Sequence, residues 1–332
     1  MSETKDDILI MQGISKAFPG VQALDDVDFS LQKGEIHCLV GENGAGKSTL
    51  IKVLTGVDRP DTGQILLGGK EIHPRSPQHS QTLGISTVYQ EVNLCTNLSV
   101  AENILIGREP RKFGRIDWPA MNAQAANLLK RLLDVDIDVT QPLNTYTVAI
   151  QQMVAIARAL DIASTQILIL DEPTSSLDAN ETQQLFKVMR KLRDEGVGII
   201  FITHFLSQVY EISDRITVLR NGKLVGTFET ASLPRVELIA KMIGRSLDEL
   251  DDMSSIKLES SKHIKTEAIL DAQKVGRSGS IRPFDLQLRA GEVVGLAGLL
   301  GSGRTETARV LFGVDKPDTG QITFNGALVT DH

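Results

Sequence analysis

The sequence predicts an α/β fold with a mostly parallel sheet, followed by a second, incomplete copy of its beginning. Short apolar strand runs alternate with amphipathic helices, the pattern typical of parallel sheets. The run "EIHCLV" (35–40) leads into the glycine-rich stretch "GENGAGKST" (41–49) and then into a helix. Two more buried strands are predicted at "ILIL" (167–170) and "GIIFITH" (198–204), and a helix with an apolar face at 185–192 separates them.

An internal repeat divides the chain into domains. Residues 34–65 align without gaps on residues 291–322, with 17 identities in 32 positions. The segment 246–266 is polar, charged and aperiodic, which is typical of a linker. We therefore expect a first domain over 8–245 and the start of a second copy over 267–332. Because roughly 65 residues are near the lower limit for an independent core, we expect that second copy to be incomplete.

Composition restricts the functional classes. The 332 residues are 41% hydrophobic and 23% charged, with a formal net charge of −7, so bulk electrostatics does not favour nucleic acid as a partner. The two cysteines, Cys38 and Cys95, have no metal-like spacing and indicate a reducing compartment. The acidic N-terminus differs from a signal peptide, and no apolar run reaches the roughly 18–20 residues that span a bilayer. Any membrane role is expected to come through a partner.

The stretch at 41–49 carries the strongest chemical signal. It contains G-x-x-x-x-G-K-[ST] between a strand and a helix, where backbone N–H groups and the positive helix terminus bind phosphate oxygens. Lys47 is expected to reach the β- and γ-phosphates of a nucleotide, and Ser48 to ligate Mg²⁺. The predicted nucleotide-binding residues of this loop are Gly41, Glu42, Asn43, Gly44, Ala45, Gly46, Lys47, Ser48 and Thr49.

Two acids end the strand at 167–170, on the sheet edge where the phosphate loop is expected. Asp171 is suited to hold Mg²⁺ through water, and Glu172 to orient or deprotonate an attacking water. Gln90 and His204 also stand at strand ends, but each alone carries little signal. Phe18 is compatible either with stacking on an adenine ring or with a place in the core.

Taken together, these residues resemble the ATP-binding subunits of ABC transporters, a family of P-loop ATPases. The resemblance covers nearly all of 8–245 and implies ATP and Mg²⁺ as ligands, with antiparallel β and helical subdomains around the parallel sheet. It implies adenine stacking by Phe18, metal ligation by Ser48, Gln90 and Asp171, and catalytic roles for Gln90, Glu172 and His204. It also implies a D-loop aspartate at Asp178. The segment that resembles the signature motif is Tyr146, Thr147, Val148, Ala149, Ile150 and Gln151.

A narrower resemblance points to the monosaccharide importers. "KAFPGVQAL" (16–24), "MIGR" (242–245) and the duplicated nucleotide domain are similar to the ATPases for ribose, galactose and other monosaccharides. The opening residues and "YTVAIQQM" (146–153) most resemble the ATPases of galactofuranose importers. Membership implies transmembrane permease subunits and, indirectly, a sugar-binding protein as partners. It also implies a peripheral position on the cytoplasmic face of the bacterial inner membrane.

The resemblance also implies that each phosphate loop works against the signature of a second nucleotide domain. In the second copy, arginine replaces the loop lysine, and the residues of this degenerate loop are Gly298, Gly301, Gly303, Arg304 and Thr305. Thr147 keeps the hydroxyl of the usual signature serine, whereas Ala149 replaces a glycine that lets backbone approach the γ-phosphate. We expect these two weakened halves to meet in one composite site, leaving hydrolysis to the other.

Three alternatives stay open on the sequence. The chain could be a truncated remnant that binds nucleotide without supporting transport, or a soluble ABC protein of translation or DNA repair. The net negative charge of the chain counts against a soluble ABC protein of translation or DNA repair. Homodimers of the first domain would use the segment 146–151 as the missing signature. Outside these motifs, the cluster "REPRKFGR" (108–115) and Trp118 are predicted as a solvated loop, with a permease or lipid-surface contact as the minor alternative.

Overall fold

The chain forms two compact units, Met1–Leu250 and Asp251–His332. A computed structural model describes residues 7–89, 94–160, 165–245, 267–298 and 302–329. The predicted linker at 246–266 therefore lies outside the described residues, as do Gln90 and Gly301. No helix among the described residues is long and apolar enough to cross a membrane.

The first unit is a mixed α/β structure, and its elements follow in chain order. The strands of this unit are β1 (Asp7–Phe18), β2 (Val21–Gln32), β3 (Ile36–Val40), β4 (Thr62–Leu67), β5 (Lys70–Ile72), β6 (Ile85–Val88), β7 (Arg111–Lys112), β8 (Arg115–Ile116), β9 (Ile167–Asp171), β10 (Gly198–Ile202), β11 (Arg215–Arg220) and β12 (Lys223–Glu229). The helices of this unit are α1 (Lys47–Leu54), α2 (Pro77–Thr82), α3 (Val100–Leu105), α4 (Trp118–Leu133), α5 (Val148–Leu160), α6 (Ala179–Asp194), α7 (Leu206–Ile212) and α8 (Arg235–Ile243).

The main sheet has the strand order β12-β11-β3-β10-β9-β6. Its five strands from β11 to β6 run parallel, and β12 closes one edge in the antiparallel direction. Every residue of β3 and β10 is buried, because the apolar sets on the two faces of the sheet join two different cores. The parallel sheet and the strands predicted at 35–40, 167–170 and 198–204 are confirmed.

A second, antiparallel sheet lies over one face of this sheet. Its strand order is β2-β1-β4-β5, and its buried residues include Leu9, Met11 and Phe29. These side chains share a core with the apolar face of α1 and with inward residues of the parallel sheet such as Leu39 and Ile200. The antiparallel subdomain implied by the resemblance is therefore present, and it packs directly against the helix that follows the glycine-rich loop.

The other face of the parallel sheet is covered by helices. Helices α3, α4 and α5 pack against one another and form the helical part of the unit, and α6 shares the same core. Helix α6 begins where Asp178 and Glu181 form a capping box, and its apolar residues within 185–192 are buried as the periodicity predicts.

The cluster predicted as a solvated loop at 108–115 is instead a β-hairpin. Strands β7 and β8 pair antiparallel around a two-residue turn of Phe113 (φ 51°) and Gly114 (φ 77°). Positive φ at both central residues is the type I′ geometry, which matches the twist of paired strands. The loop prediction was wrong because two-residue strands have no hydrophobic periodicity. Trp118 is also not a loop residue, since α4 begins there.

The second unit repeats part of this design. Its elements are β13 (Ala268–Arg277), β14 (Ile281–Arg289), α9 (Arg304–Leu311), β15 (Thr319–Phe324) and β16 (Ala327–Leu328). The strand order β14-β13-β15-β16 matches the order of the antiparallel sheet in the first unit. Its core is small and consists of Ala272, Val275, Val310 and Ile322, with a few partly buried neighbours.

One aligned segment differs between the two units. Residues 36–40 form the buried strand β3, whereas the aligned residues 293–297 form no strand, and Val293 is 98% exposed. Strand β3 is flanked by β10 and β11, which come more than 150 residues later in the chain. The described residues of the second unit include no parallel strands, so the same sequence pattern has no sheet to join there.

A buried ionic network fixes the beginning of β3. Glu35 is 4% exposed, and its carboxylate accepts hydrogen bonds from Arg215 at 2.6 and 2.8 Å and from the Gln32 N–H at 2.6 Å. His37 Nδ1 lies 3.0 Å from the same carboxylate, and His37 Nε2 lies 2.7 Å from the Thr217 hydroxyl. Burial favours a raised pKa for Glu35, but hydrogen bonds with His37 and Arg215 outweigh it and lower the pKa to about 2.

This network predicts a pH-dependent contribution to stability. The folded pKa of Glu35 lies below its ordinary value of 4.5, so its stabilisation is present above pH 4.5 and is lost as pH falls towards 2. We expect Glu35→Gln to lower the free energy of unfolding at pH 7 by about 3 kcal/mol, and the deficit to shrink by about 2 kcal/mol at pH 3. Urea unfolding followed by the fluorescence of Trp118 measures both values.

The matched control for this prediction is Glu71→Gln. Glu71 lies 3.8 Å from His73, but both side chains are more than half exposed, so little change is expected at either pH. A Glu35→Gln deficit of equal size at pH 7 and pH 3 would contradict the assigned ionic role.

Candidate nucleotide site

The glycine-rich loop connects the carboxyl end of β3 to the first residue of α1. Gly41, Gly44 and Gly46 have φ values of 156°, 82° and 104°, and Gly46 is the residue immediately before the helix. Glu42, Asn43 and Gly44 are exposed, whereas Ala45 is buried and its carbonyl oxygen accepts a hydrogen bond from the Gly222 N–H. The loop therefore has an exposed rim and a buried base.

The buried base explains two of the glycines. A Cβ on Gly46 would lie 2.8 Å from the Ala23 carbonyl oxygen and 2.9 Å from Leu24 Cδ2. A Cβ on Gly41 would collide with the carbonyl oxygen of Leu219. The loop thus lies against β2 at Gly46 and against β11 at Gly41. At both glycines the neighbouring strand leaves no room for a side chain.

Lys47, the first residue of α1, points its ammonium group back over the loop. Its Nζ donates to the carbonyl oxygens of Gly41 at 2.7 Å and Glu42 at 3.0 Å. An ammonium group has three donors, so one remains for an anion held over the loop. Burial lowers the pKa of Lys47, and the nearby carboxylates of Glu172 and Asp171 partly oppose that shift.

The two predicted acids lie at the carboxyl end of β9. Asp171 is the last residue of the strand and pairs in register with Ile202 of β10. Burial and the neighbouring Glu172 raise the pKa of Asp171, and Lys47 acts in the opposite direction. Lys47, Asp171 and Glu172 therefore interact electrostatically, so the structure brings the lysine of the loop and both acids together, as the sequence predicts.

Glu172 is held in an uncommon backbone conformation. Its φ is 49°, and its N–H donates to the Ile202 carbonyl oxygen at 2.9 Å. The His204 ring lies beside it, with Nδ1 3.3 Å from Glu172 Oε1. His204 also contacts the ring of Phe205, at a centroid distance of 4.0 Å. A non-glycine residue at positive φ is strained, and such strain is concentrated at functional sites.

Gln208 on α7 connects the segments that follow β9 and β10, a role that the sequence does not predict. Its Oε1 accepts hydrogen bonds from the hydroxyls of Thr174 at 2.7 Å and Thr203 at 3.2 Å. Thr174 follows Glu172 by two residues, and Thr203 immediately precedes His204. Both threonines are buried, so one amide oxygen ties the acidic segment to the histidine segment. No motif spacing marks Gln208, because the link depends on where α7 packs.

Two other predicted residues lie outside this cluster. Phe18, at the end of β1, is 41% exposed, and Lys16 Nζ lies 5.6 Å from the centroid of its ring. It is therefore not a core residue, and the exposed ring is available for stacking. Asp178 is the residue before α6, and its side chain accepts a hydrogen bond from the Glu181 N–H at 2.8 Å. The structure thus shows a capping role for Asp178.

The segment predicted as the signature begins helix α5. The Tyr146 hydroxyl donates to the Asp138 carbonyl oxygen, and Thr147 precedes the helix. Val148 is 47% exposed, whereas Ala149 is buried. Ile150 and Gln151 are partly buried, and Gln151 donates to the Tyr146 carbonyl oxygen. Because α5 packs chiefly against α3, α4 and β6, this segment belongs to the helical part of the unit rather than to the glycine-rich loop.

The oxygen ligands near the loop suit Mg²⁺ bound together with phosphate. Ser48 is exposed and Thr49 partly buried in the first turn of α1, and Asp171 and Glu172 supply carboxylates. Among the described residues, no group of three or more His, Cys, Asp or Glu side chains could hold a metal ion alone. Mg²⁺ is usually bound by one or two carboxylates plus substrate phosphates, so this donor set fits.

The loop before Arg304 in the second unit resembles the loop of the first unit only at the residue that precedes the helix. Gly303 precedes α9 with a φ of 87°, close to the conformation of Gly46 before α1. Arg304 and Thr305 are exposed in the first turn of the helix, and Gly298 is exposed before the loop. The helix terminus is therefore preserved, while the group in the lysine position is a bulkier, planar guanidinium.

A glycine-rich loop between a parallel strand and a helix, with a lysine and an acidic strand end beside it, defines a phosphate-loop nucleotide-binding protein. The ABC transporter family model matches residues 24–175 and 281–332. The chain belongs to the ABC transporter family. Both segments of the internal repeat fall within the matched ranges, and the resemblance inferred from the motifs is confirmed.

Sugar importers are among the similar curated proteins. The galactofuranose transporter ATP-binding protein of Escherichia coli is 53% identical over 96% of this chain. The fructose import ATP-binding protein of Bifidobacterium longum is 50% identical over 98% of the chain, and a ribose import ATP-binding protein of Rubrobacter xylanophilus is 48% identical over 96%. The chain spans 63% of the length of the first two relatives and 62% of the third.

Solved structures give the same fold. The ADP conformation of an ATP-binding cassette of an ABC transporter matches with a TM-score of 0.62 and 25% identity, covering 74% of this chain and 98% of that one. The cbiO1 protein of Clostridium perfringens, part of the transporter complex cbiONQ, matches with a TM-score of 0.61 and 26% identity, covering 76% of this chain and all of that one. The predicted ABC-ATPase fold is therefore confirmed.

The two loop glycines Gly44 and Gly46 allow a matched test of the close approach. Both have positive φ, but none of the described residues has an atom within 4 Å of a Cβ placed on Gly44. We expect Gly44→Ala to cost about 1 kcal/mol of unfolding free energy from backbone strain alone. Gly46→Ala adds a clash and is expected to cost about 3 kcal/mol. Urea unfolding of the two variants gives the difference, and equal costs would contradict the described packing.

Proposed function

We propose that this protein is the ATP-binding subunit of a monosaccharide ABC importer, and that it hydrolyses ATP to ADP and phosphate with Mg²⁺. The observation that carries the proposal is the pairing of Glu172 with His204, 3.3 Å apart, beside a phosphate loop and a second carboxylate. The site contains an anion-binding loop, an acid positioned to activate water and a histidine in contact with that acid. Similar proteins named for sugar import support the choice of substrate class.

The proposed mechanism assigns one task to each group. The loop N–H groups and Lys47 bind the β- and γ-phosphates, and Ser48, Asp171 and Gln90 hold Mg²⁺, directly or through water. When bound, Mg²⁺ neutralises charge that develops on the phosphate oxygens. Glu172 orients the attacking water and accepts its proton, and His204 fixes the Glu172 carboxylate. Phe18 stacks on the adenine ring.

The proposal includes a second nucleotide-binding domain. In the family's arrangement, each phosphate loop faces the signature of another nucleotide-binding domain. The loop that contains Lys47 therefore requires a signature from a second domain, because the segment 146–151 does not serve the loop of its own domain. Arg304 in the lysine position, and Ala149 beside Thr147 in the signature segment, are each expected to weaken the nucleotide site to which they contribute. Asp178 is proposed as the D-loop aspartate in addition to its role in capping α6.

The proposed partners are transmembrane permease subunits, and a sugar-binding protein acts through them. Closure of the nucleotide domains on ATP would move the permease between its inward and outward states, and hydrolysis would reset it. This function locates the protein at the cytoplasmic face of the bacterial inner membrane as a peripheral subunit. Identities of 53%, 50% and 48% to galactofuranose, fructose and ribose proteins favour a monosaccharide without choosing among the three.

Replacement of the proposed base is the first test. We expect Glu172→Gln to lower ATP turnover by about 10²–10⁴-fold, because the amide cannot accept the proton from water. The affinity for Mg²⁺–ATP should change by no more than about twofold, since the loop that binds phosphate is intact. Turnover measured by phosphate release, and binding measured with a fluorescent ATP analogue, separate the two effects.

The matched control is Glu195→Gln, which neutralises an exposed acid at the carboxyl end of α6 and should leave turnover unchanged. Unreduced turnover in Glu172→Gln would contradict the role of Glu172 as the base. ATP binding without turnover in the unmutated chain would instead support the remnant interpretation.

Gln208 provides a test of positioning. We expect Gln208→Met to lower kcat by about 10–100-fold while KM for ATP stays within about twofold, because the two strand ends lose their common acceptor. Gln208→Glu retains acceptor oxygens and should recover much of that loss. The control is Gln183→Met, which removes a different hydrogen bond to α7, the exposed one between Gln183 on α6 and Glu211. A kcat loss in the control equal to that in Gln208→Met would assign the effect to helix packing.

A further inference from the structure

The β7–β8 hairpin is an exposed element beside the helical part of the first unit. Its register pairs Arg111 with Ile116 and Lys112 with Arg115, and both strands end at the two-residue turn. The base is closed by a hydrogen bond from the Asp117 N–H to the Pro110 carbonyl oxygen at 2.8 Å. The Ile116 side chain packs against the core of the unit, so the hairpin is anchored at its base and free at its tip.

An aromatic side chain occupies the tip. Phe113 is 96% exposed, and none of the large apolar side chains described in the first unit is more exposed. Trp118, the only tryptophan of the chain, is 48% exposed at the beginning of α4, directly after the hairpin. Two aromatic rings in water so close in sequence are unfavourable unless a partner surface covers them.

Basic residues are close to these rings in the sequence. Arg111, Lys112 and Arg115 are exposed, and none of the three forms an ion pair with any residue that the structure describes. The nearby Glu109 carboxylate accepts a hydrogen bond from the Gly107 N–H at 2.8 Å. The segment 108–115 contains four basic residues and one acid, in a chain whose net charge is −7. The positive charge is therefore local to the hairpin.

The fourth base has a different role. The guanidinium group of Arg108 donates to the carbonyl oxygens of Ile104 at 2.9 Å and Arg158 at 3.1 Å. Arg108 thus ties the base of the hairpin to α3 and α5. The three remaining bases and the two rings are exposed, so they are accessible to a partner.

We propose that the β7–β8 hairpin binds the surface of an anionic phospholipid membrane. Exposed bases are attracted to acidic headgroups, and aromatic rings are favourable at the boundary between headgroups and acyl chains. The proposal goes beyond the ATPase function and does not depend on it, because lipid contact by the hairpin needs no nucleotide.

Trp118 reports directly on this contact, since it is the only tryptophan and lies within the proposed surface. The full chain is titrated with vesicles of phosphatidylglycerol and phosphatidylethanolamine, and separately with vesicles of phosphatidylcholine alone. We expect a blue shift of Trp118 emission, and quenching by lipids brominated on the acyl chains, only with the anionic vesicles. The shift should diminish as salt is raised, because the attraction between exposed charges is screened.

Two variants divide the contact into its charged and apolar parts. Replacing Arg111, Lys112 and Arg115 with serine should weaken vesicle binding by about tenfold or more. Phe113→Asn should weaken it by several-fold and preserve the turn, because asparagine adopts positive φ readily. The control replaces Lys33, Lys70 and Lys187 with serine, which removes the same charge from exposed positions elsewhere in the first unit.

The outcomes distinguish the possible partners. Anionic-specific binding that the control retains and the hairpin variants lose would support the proposal. No change of Trp118 emission with anionic vesicles would overturn it. Equal losses in the control and in the triple hairpin variant would also overturn it, since binding would then depend on total charge alone.

Discussion

The burial of β3 between β10 and β11 is the constraint on which the rest of the first unit depends. All five residues of β3 are buried, and its register with both neighbours places its carboxyl end beside the ends of β9 and β10. The glycine-rich loop begins at that end, so the strand arrangement itself brings Lys47 near Asp171 and Glu172. The ionic network around Glu35 secures the opposite end of the same strand, because Arg215 begins β11.

The second unit shows what sequence similarity does and does not specify. The turn before the helix is reproduced, with Gly303 at a φ of 87° where Gly46 has 104°. That conformation is local and depends on a glycine and the helix that follows it. The strand is not reproduced, and Val293 is 98% exposed where the aligned Ile36 is fully buried. A parallel strand needs neighbours from distant parts of the chain, so no local pattern can form it alone.

The same distinction explains which parts of the site could be predicted. Lys47, Asp171, Glu172 and His204 could be placed because each stands at a strand end or helix start that the apolar pattern marks. Gln208 could not, because its two threonine partners are 34 and 5 residues away, on different segments. The buried role of Glu35 depends likewise on Arg215, which is 180 residues away. The β7–β8 hairpin could not be predicted for another reason, because two-residue strands are too short to show hydrophobic periodicity.

Lys47 and Asp171 each reduce the effect of burial on the pKa of the other. Burial lowers the pKa of Lys47 and raises that of Asp171, and each group shifts the pKa of the other back towards its ordinary value. Neither charge is fully compensated by the protein alone, because the pKa of Lys47 remains lowered and that of Asp171 remains raised. Glu172 favours the charged form of Lys47 but disfavours that of Asp171. An anion over the loop would stabilise the charged form of Lys47, and a cation beside Asp171 would stabilise its carboxylate. If both ligands bind as proposed, each therefore favours the other, since a binding effect between two sites is reciprocal.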